Sequence, residues 1–101
     1  MNKRLELHEM LCECVGSRHV YFQPPESVKM SYPCIVYERA GEDAVFADDG
    51  RYLAKKQYTV TVIDKDPDSE IPHKVGELLY SSFSRHYTAD NLHHDVYNIY
   101  Y

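Results

Sequence analysis

The stretch Gln57-Tyr58-Thr59-Val60-Thr61-Val62-Ile63-Asp64-Lys65-Asp66-Pro67-Asp68-Ser69 decides the fold. Tyr58, Val60 and Val62 alternate with Thr59, Thr61 and Ile63. Successive side chains of a strand point to opposite faces, so this period of two predicts a β-strand over 57–63 with the first set toward a core. The run Asp64–Ser69 breaks the strand. Ser69 or Asp68 can cap a second helix, and Pro72 is tolerated in its first turn, where its missing N–H costs nothing. Ile71, Val75, Leu78 and Leu79 give that helix an apolar face ending near Ser82, and Gly76 weakens it while permitting close packing.

Upstream, Asp49-Gly50 lies between two extended runs, Ala44–Asp48 and Arg51–Lys55. Asp-Gly favours a tight hairpin turn because both central residues can take positive φ. A hairpin with polar, weakly apolar arms is expected to project from the body, its second arm running on into the 57–63 strand. Gly50→Val is expected to cost about 1 kcal/mol or more at this turn. Before it, Pro33 opens the apolar run Cys34-Ile35-Val36-Tyr37, where neighbouring residues are both apolar, as in a strand covered on both faces. His19–Phe22 is a short strand ended by Gln23-Pro24-Pro25-Glu26, and 23–33 is an irregular connection. Residues 3–15 form the first helix. Leu7, Met10, Leu11 and Cys14 share one face, Glu6, Glu9 and Glu13 are solvated, and Gly16 can stop the helix in a left-handed conformation. Downstream, Arg85–Tyr87 reads as extended and Asp90-Asn91 as a turn. Asp95–Tyr101 is a final strand with Val96 and Tyr100 on one face and Tyr97, Ile99 and Tyr101 on the other.

These elements define one α+β domain over residues 1–101. The expected architecture is a two-layer sandwich of about four mostly antiparallel strands, with two amphipathic helices on one face and a projecting β-hairpin. The 101 residues carry a net charge of −5, which argues against a nucleic-acid reader working by phosphate neutralisation; Lys55-Lys56 is the densest basic pair. No apolar run approaches the roughly 18–20 residues of a membrane helix, and the stretch from Met1 to Glu9 lacks the apolar core of a secretory signal. Three cysteines, Cys12, Cys14 and Cys34, make an odd count without framework spacing, which fits reduced thiols. Ten tyrosines and three phenylalanines are more aromatic area than a small core needs. If Tyr37, Tyr97, Ile99 and Tyr101 populate the second face of the sheet, another subunit is expected to cover it.

The sequence offers little chemistry. The acidic loop from Asp64 fails as a calcium loop, with Ser69 at the glycine position and Val75 at the bidentate glutamate position. His86, His93, His94 and Asp95 are possible metal ligands, but His93 and His94 point to opposite faces of a strand and cannot share an ion there. Cys12 and Cys14, two apart on a helix, do not face each other. Cys34 with a histidine would make a nucleophile–base pair, yet its apolar strand favours an inert buried thiol. No Gly-rich phosphate loop, serine elbow or paired-carboxylate motif appears, so no enzyme activity, catalytic residue, metal or cofactor is expected.

Tyr32-Pro33-Cys34-Ile35-Val36-Tyr37, the run from Tyr58 to Asp68 with the helix after it, and Asp90-Asn91-Leu92-His93-His94-Asp95-Val96-Tyr97 together resemble the small tail terminator (tail-completion, tail-to-head joining or minor capsid) proteins of long-tailed bacteriophages and Gram-positive prophages. The resemblance implies an α+β fold and no catalytic residues. It also implies a ring, as a rule a hexamer, that caps the tail tube, stops its growth and presents a surface to the head connector. Expected partners are further copies of this chain, the tail-tube protein and head connector or adaptor proteins. DNA would pass through the lumen without specific binding, and no membrane is involved. The expected location is the virion head–tail junction, after assembly in the host cytoplasm. The alternatives are a head-side connector adaptor or stopper and, further off, a small thiol or metal hydrolase. Closed rings join two different patches. The expected patches are the hairpin, with Phe46, Asp49, Gly50, Arg51 and Tyr52, and the aromatic face with Tyr37, Tyr97, Ile99 and Tyr101.

Overall fold

The computed structural model describes residues 3–25, 27–40, 44–48, 51–78 and 80–101, and of 44–48 and 51–55 the backbone alone. The elements are α1 (Lys3–Val15), β1 (Val20–Phe22), β2 (Cys34–Arg39), β3 (Ala44–Asp48), β4 (Arg51–Lys55), β5 (Gln57–Asp64), α2 (Ile71–Gly76), β6 (Ser81–Ala89) and β7 (Leu92–Tyr100). Five strands form one sheet in the order β1-β2-β5-β7-β6, and β3-β4 form a separate two-stranded sheet. The main sheet is mixed, because β1 runs parallel to β2 while every other neighbour is antiparallel. The fold is thus α+β as expected, with one more strand in the main sheet than anticipated.

α1 follows the predicted bounds. Leu7, Leu11 and Cys14 are buried, the three glutamates are exposed, and Gly16 takes φ 75° while its N–H donates to the Cys12 carbonyl at 2.9 Å. Cys12 is also buried, and Met10 only half so. The hairpin arms have the predicted bounds, with Asp48 paired to Arg51. Asp49 and Gly50 lie outside the described residues.

α2 departs from expectation. It ends at Gly76, and Ser82 is already the second residue of β6. The N-cap position is Glu70, whose side chain caps nothing. Ser69 acts one residue earlier, its Oγ accepting the Ile71 N–H at 3.3 Å. After Gly76 the chain turns, and Tyr80 takes φ 60° before β6 begins. Leu78 still packs against the core from outside the helix. The closing hairpin is longer than predicted. β7 starts at Leu92 rather than Asp95, and Asp90 and Asn91 both have positive φ between the paired Ala89 and Leu92, the geometry of a two-residue turn.

One core lies between the helices and one sheet face. It unites Leu7, Leu11, Cys12 and Cys14 of α1 and Val75 of α2 with Val20, Ile35, Tyr37, Tyr58, Val60, Val62, Tyr97 and Ile99. Register explains the membership. Val60 pairs with Tyr37 on one side and with Tyr97 on the other, and directly paired residues share a face. Tyr37, Tyr97 and Ile99 are therefore 0%, 7% and 1% exposed under the helices, not on the open face where the sequence reading put them. Tyr101 is half-buried against the same core, and its hydroxyl donates to Glu6 Oε2 at 3.3 Å. The opposite face carries Val36, Thr59, Thr61, His94, Asn98 and Tyr100, all half-buried, around the buried Cys34, Ile63 and Val96. Among the described residues no helix is long and apolar enough to cross a membrane.

Candidate functional site

Edges and exposed apolar groups define the candidate interaction surface. β6 is an outer strand of the main sheet and is exposed along almost its whole length. Its inner side follows β7 with one irregularity between Phe83 and Arg85. Phe83 is 58% and Tyr87 40% exposed on it, and Tyr80 just before it is exposed as well. An outer strand presents unpaired backbone N–H and C=O groups, and apolar side chains beside them favour another chain over water. The two-residue turn at Asp90-Asn91 and the β7 register bring these residues to the edge. Sequence reading found only the Arg85–Tyr87 part of β6, because Ser81-Ser82-Phe83-Ser84 has no apolar alternation to announce the start of the strand.

The two patches expected from the sequence fare differently. Phe46, Arg51 and Tyr52 lie on the β3-β4 sheet, which pairs with no strand of the main sheet. Tyr37, Tyr97 and Ile99 are core residues and offer no free surface; Tyr101 retains only partial exposure. Tyr37 instead anchors a polar contact at the core margin. Its hydroxyl lies 2.8 Å from His8 Nδ1 and accepts from Arg4 Nη1 at 3.2 Å. Burial raises the Tyr37 phenol above its usual range. Burial, with Arg18 and Arg4 nearby, lowers His8 below the usual imidazole range.

The candidate chemical groups are occupied or withdrawn. Cys34 is fully buried, and burial reinforced by the Asp64 carboxylate pushes its thiol up to about 11, the wrong direction for a nucleophile. Burial likewise raises the thiols of Cys12 and Cys14. In the acidic loop, Asp64 Oδ1 accepts the Asp66 N–H at 3.0 Å and Asp66 Oδ1 accepts the Asp68 N–H at 2.9 Å, so these carboxylates stitch the loop's own backbone. His93 and His94 do point to opposite faces: His93 stacks on His86 and His94 on Tyr87. Among the described residues, no three ligating side chains converge to hold a metal ion as they stand.

Neither a protein-family model nor a curated protein sequence matches the chain.

Proposed function

We propose that this chain is a structural phage protein that forms a ring on the end of the tail tube, stops its growth and joins tail to head. What carries the reading, beside the ordered motifs on β2, β5 and β7, is the open β6 edge with Phe83 and Tyr87 exposed on it. A strand that is unpaired outward and bears apolar groups is suited to a protein completed by copies of itself. The β3-β4 hairpin, a sheet of its own, supplies a second and different patch, as a head-to-tail ring requires. The negative balance suits a lumen that DNA crosses without adhering.

Light scattering and electron microscopy of the purified protein with tail tubes test this. Rings on tube ends, lost in Phe83→Asp while the monomer stays folded, support the reading. Binding to the portal–connector complex and not to tubes would move the protein to the head side of the joint. Failure to bind either would end the reading.

A further inference from the structure

The β6-β7 hairpin carries a cluster that the ring reading does not use. His86 pairs directly with Asp95, and Thr88 with His93, so His86, His93 and Asp95 share one face of the hairpin, with Asp64 of β5 paired to His93 on its other side. His86 Nδ1 lies 2.8 Å from Asp95 Oδ1. A carboxylate only accepts, so Nδ1 carries the proton and donates. In the neutral imidazole, the form that binds a metal ion, this contact fixes the tautomer and leaves the lone pair on Nε2. The His93 ring lies beside it, centroids 5.7 Å apart and planes 25° from parallel.

We propose that His86 and His93 form a two-histidine seat for a divalent transition-metal ion of the zinc or nickel kind, with Asp95 as the carboxylate that orients His86 and water completing the coordination. An ion bonded to two imidazoles at about 2.0–2.1 Å holds their centroids roughly 5 Å apart. The observed spacing of 5.7 Å is close to this, and both rings turn about their side-chain torsions to aim a nitrogen at one ion. A histidine whose second nitrogen donates to a carboxylate is the arrangement that makes imidazole a better ligand. Asp64 and Asp95 supply negative charge around the seat, which favours a cation. His94, on the opposite face and stacked on Tyr87 at 4.6 Å, takes no part.

Calorimetric titration of the purified full chain with zinc chloride, repeated with nickel chloride, tests the seat. The expected result is one ion per chain, weakened tenfold or more by His86→Gln or His93→Gln and severalfold by Asp95→Asn. His94→Gln and His73→Gln should bind like the parent protein. These side chains are at least partly exposed, and circular dichroism confirms that each variant is folded. A parent protein that takes up no ion, or one whose binding is unchanged in the His86→Gln/His93→Gln double variant, overturns the proposal. Equal losses in His94→Gln do so too, because they would show only diffuse histidine binding. Tube capping is not read in this experiment, so the seat and the ring stand or fall separately.

Discussion

The two faces of the five-stranded sheet are built from alternate residues of the same strands, yet they do different work. On the helix side, Tyr37, Tyr58, Val60, Val62, Tyr97 and Ile99 are closed off by α1 and α2. On the other side Cys34, Ile63 and Val96 are buried, while Val36, Thr59, Thr61, His94, Asn98 and Tyr100 around them stay half-buried. Hydrophobic stabilisation scales with the apolar area removed from water, so most of the folding free energy from side-chain burial sits on the first face. The half-buried positions of the second face are freer to vary without unfolding the protein than its buried Cys34, Ile63 and Val96.

Substitutions matched across the sheet can break this comparison. Tyr37→Ala should cost about 3–5 kcal/mol, because a large side chain leaves a closed cavity. Thr61→Ala on the open face should cost under about 1 kcal/mol. Urea midpoints compare the two, and similar losses would mean that the open face is covered too. Gly76→Val comes next. A Cβ at Gly76 would sit 3.3 Å from Tyr97 Cε2, so the larger side chain must push α2 off β7, at about 1–3 kcal/mol. Tyr37→Phe isolates the hydroxyl shared with His8 and Arg4 and should cost about 1 kcal/mol.

The smallest effect is pH-dependent. The folded protein holds His8 below the ordinary imidazole value of 6.5, because burial disfavours the charged ring and Arg18 and Arg4 repel it. Below that pH the unfolded chain takes a proton that the folded chain resists, so stability should fall as pH drops through 6.5, the loss being complete once the folded-state value is passed. The decline between pH 7.5 and 5.5, read from denaturant midpoints, should be smaller in His8→Gln than in the parent protein.

Elements with strong local signals were legible in the sequence. α1 has both an apolar face and a glycine stop, β5 has unbroken alternation, and the turn at Asp90-Asn91 is marked by residues that tolerate positive φ. What was not legible depends on partners distant in sequence. Alternation shows that Tyr97 and Ile99 share a face but not which one, since that is set by the pairing of Tyr97 with Val60. The apolar spacing Ile71, Val75, Leu78 runs past the true end of α2 because Leu78 reaches the core from the turn after Gly76. The candidate interaction surface was least legible of all. A strand whose side chains face water carries no hydrophobic period, and β6 is placed only by its pairing with β7.

The position of β7 between β5 and β6 bears on how the chain matures during synthesis. β5 and β6 do not touch until residues 92–100 slot in between them, so the sheet cannot close while that segment is still inside the ribosome. A nascent chain paused before Leu92 would display the bare flank of β5, with Tyr58, Val60, Val62 and Ile63 beside it, and would be a natural client for a chaperone that holds extended segments.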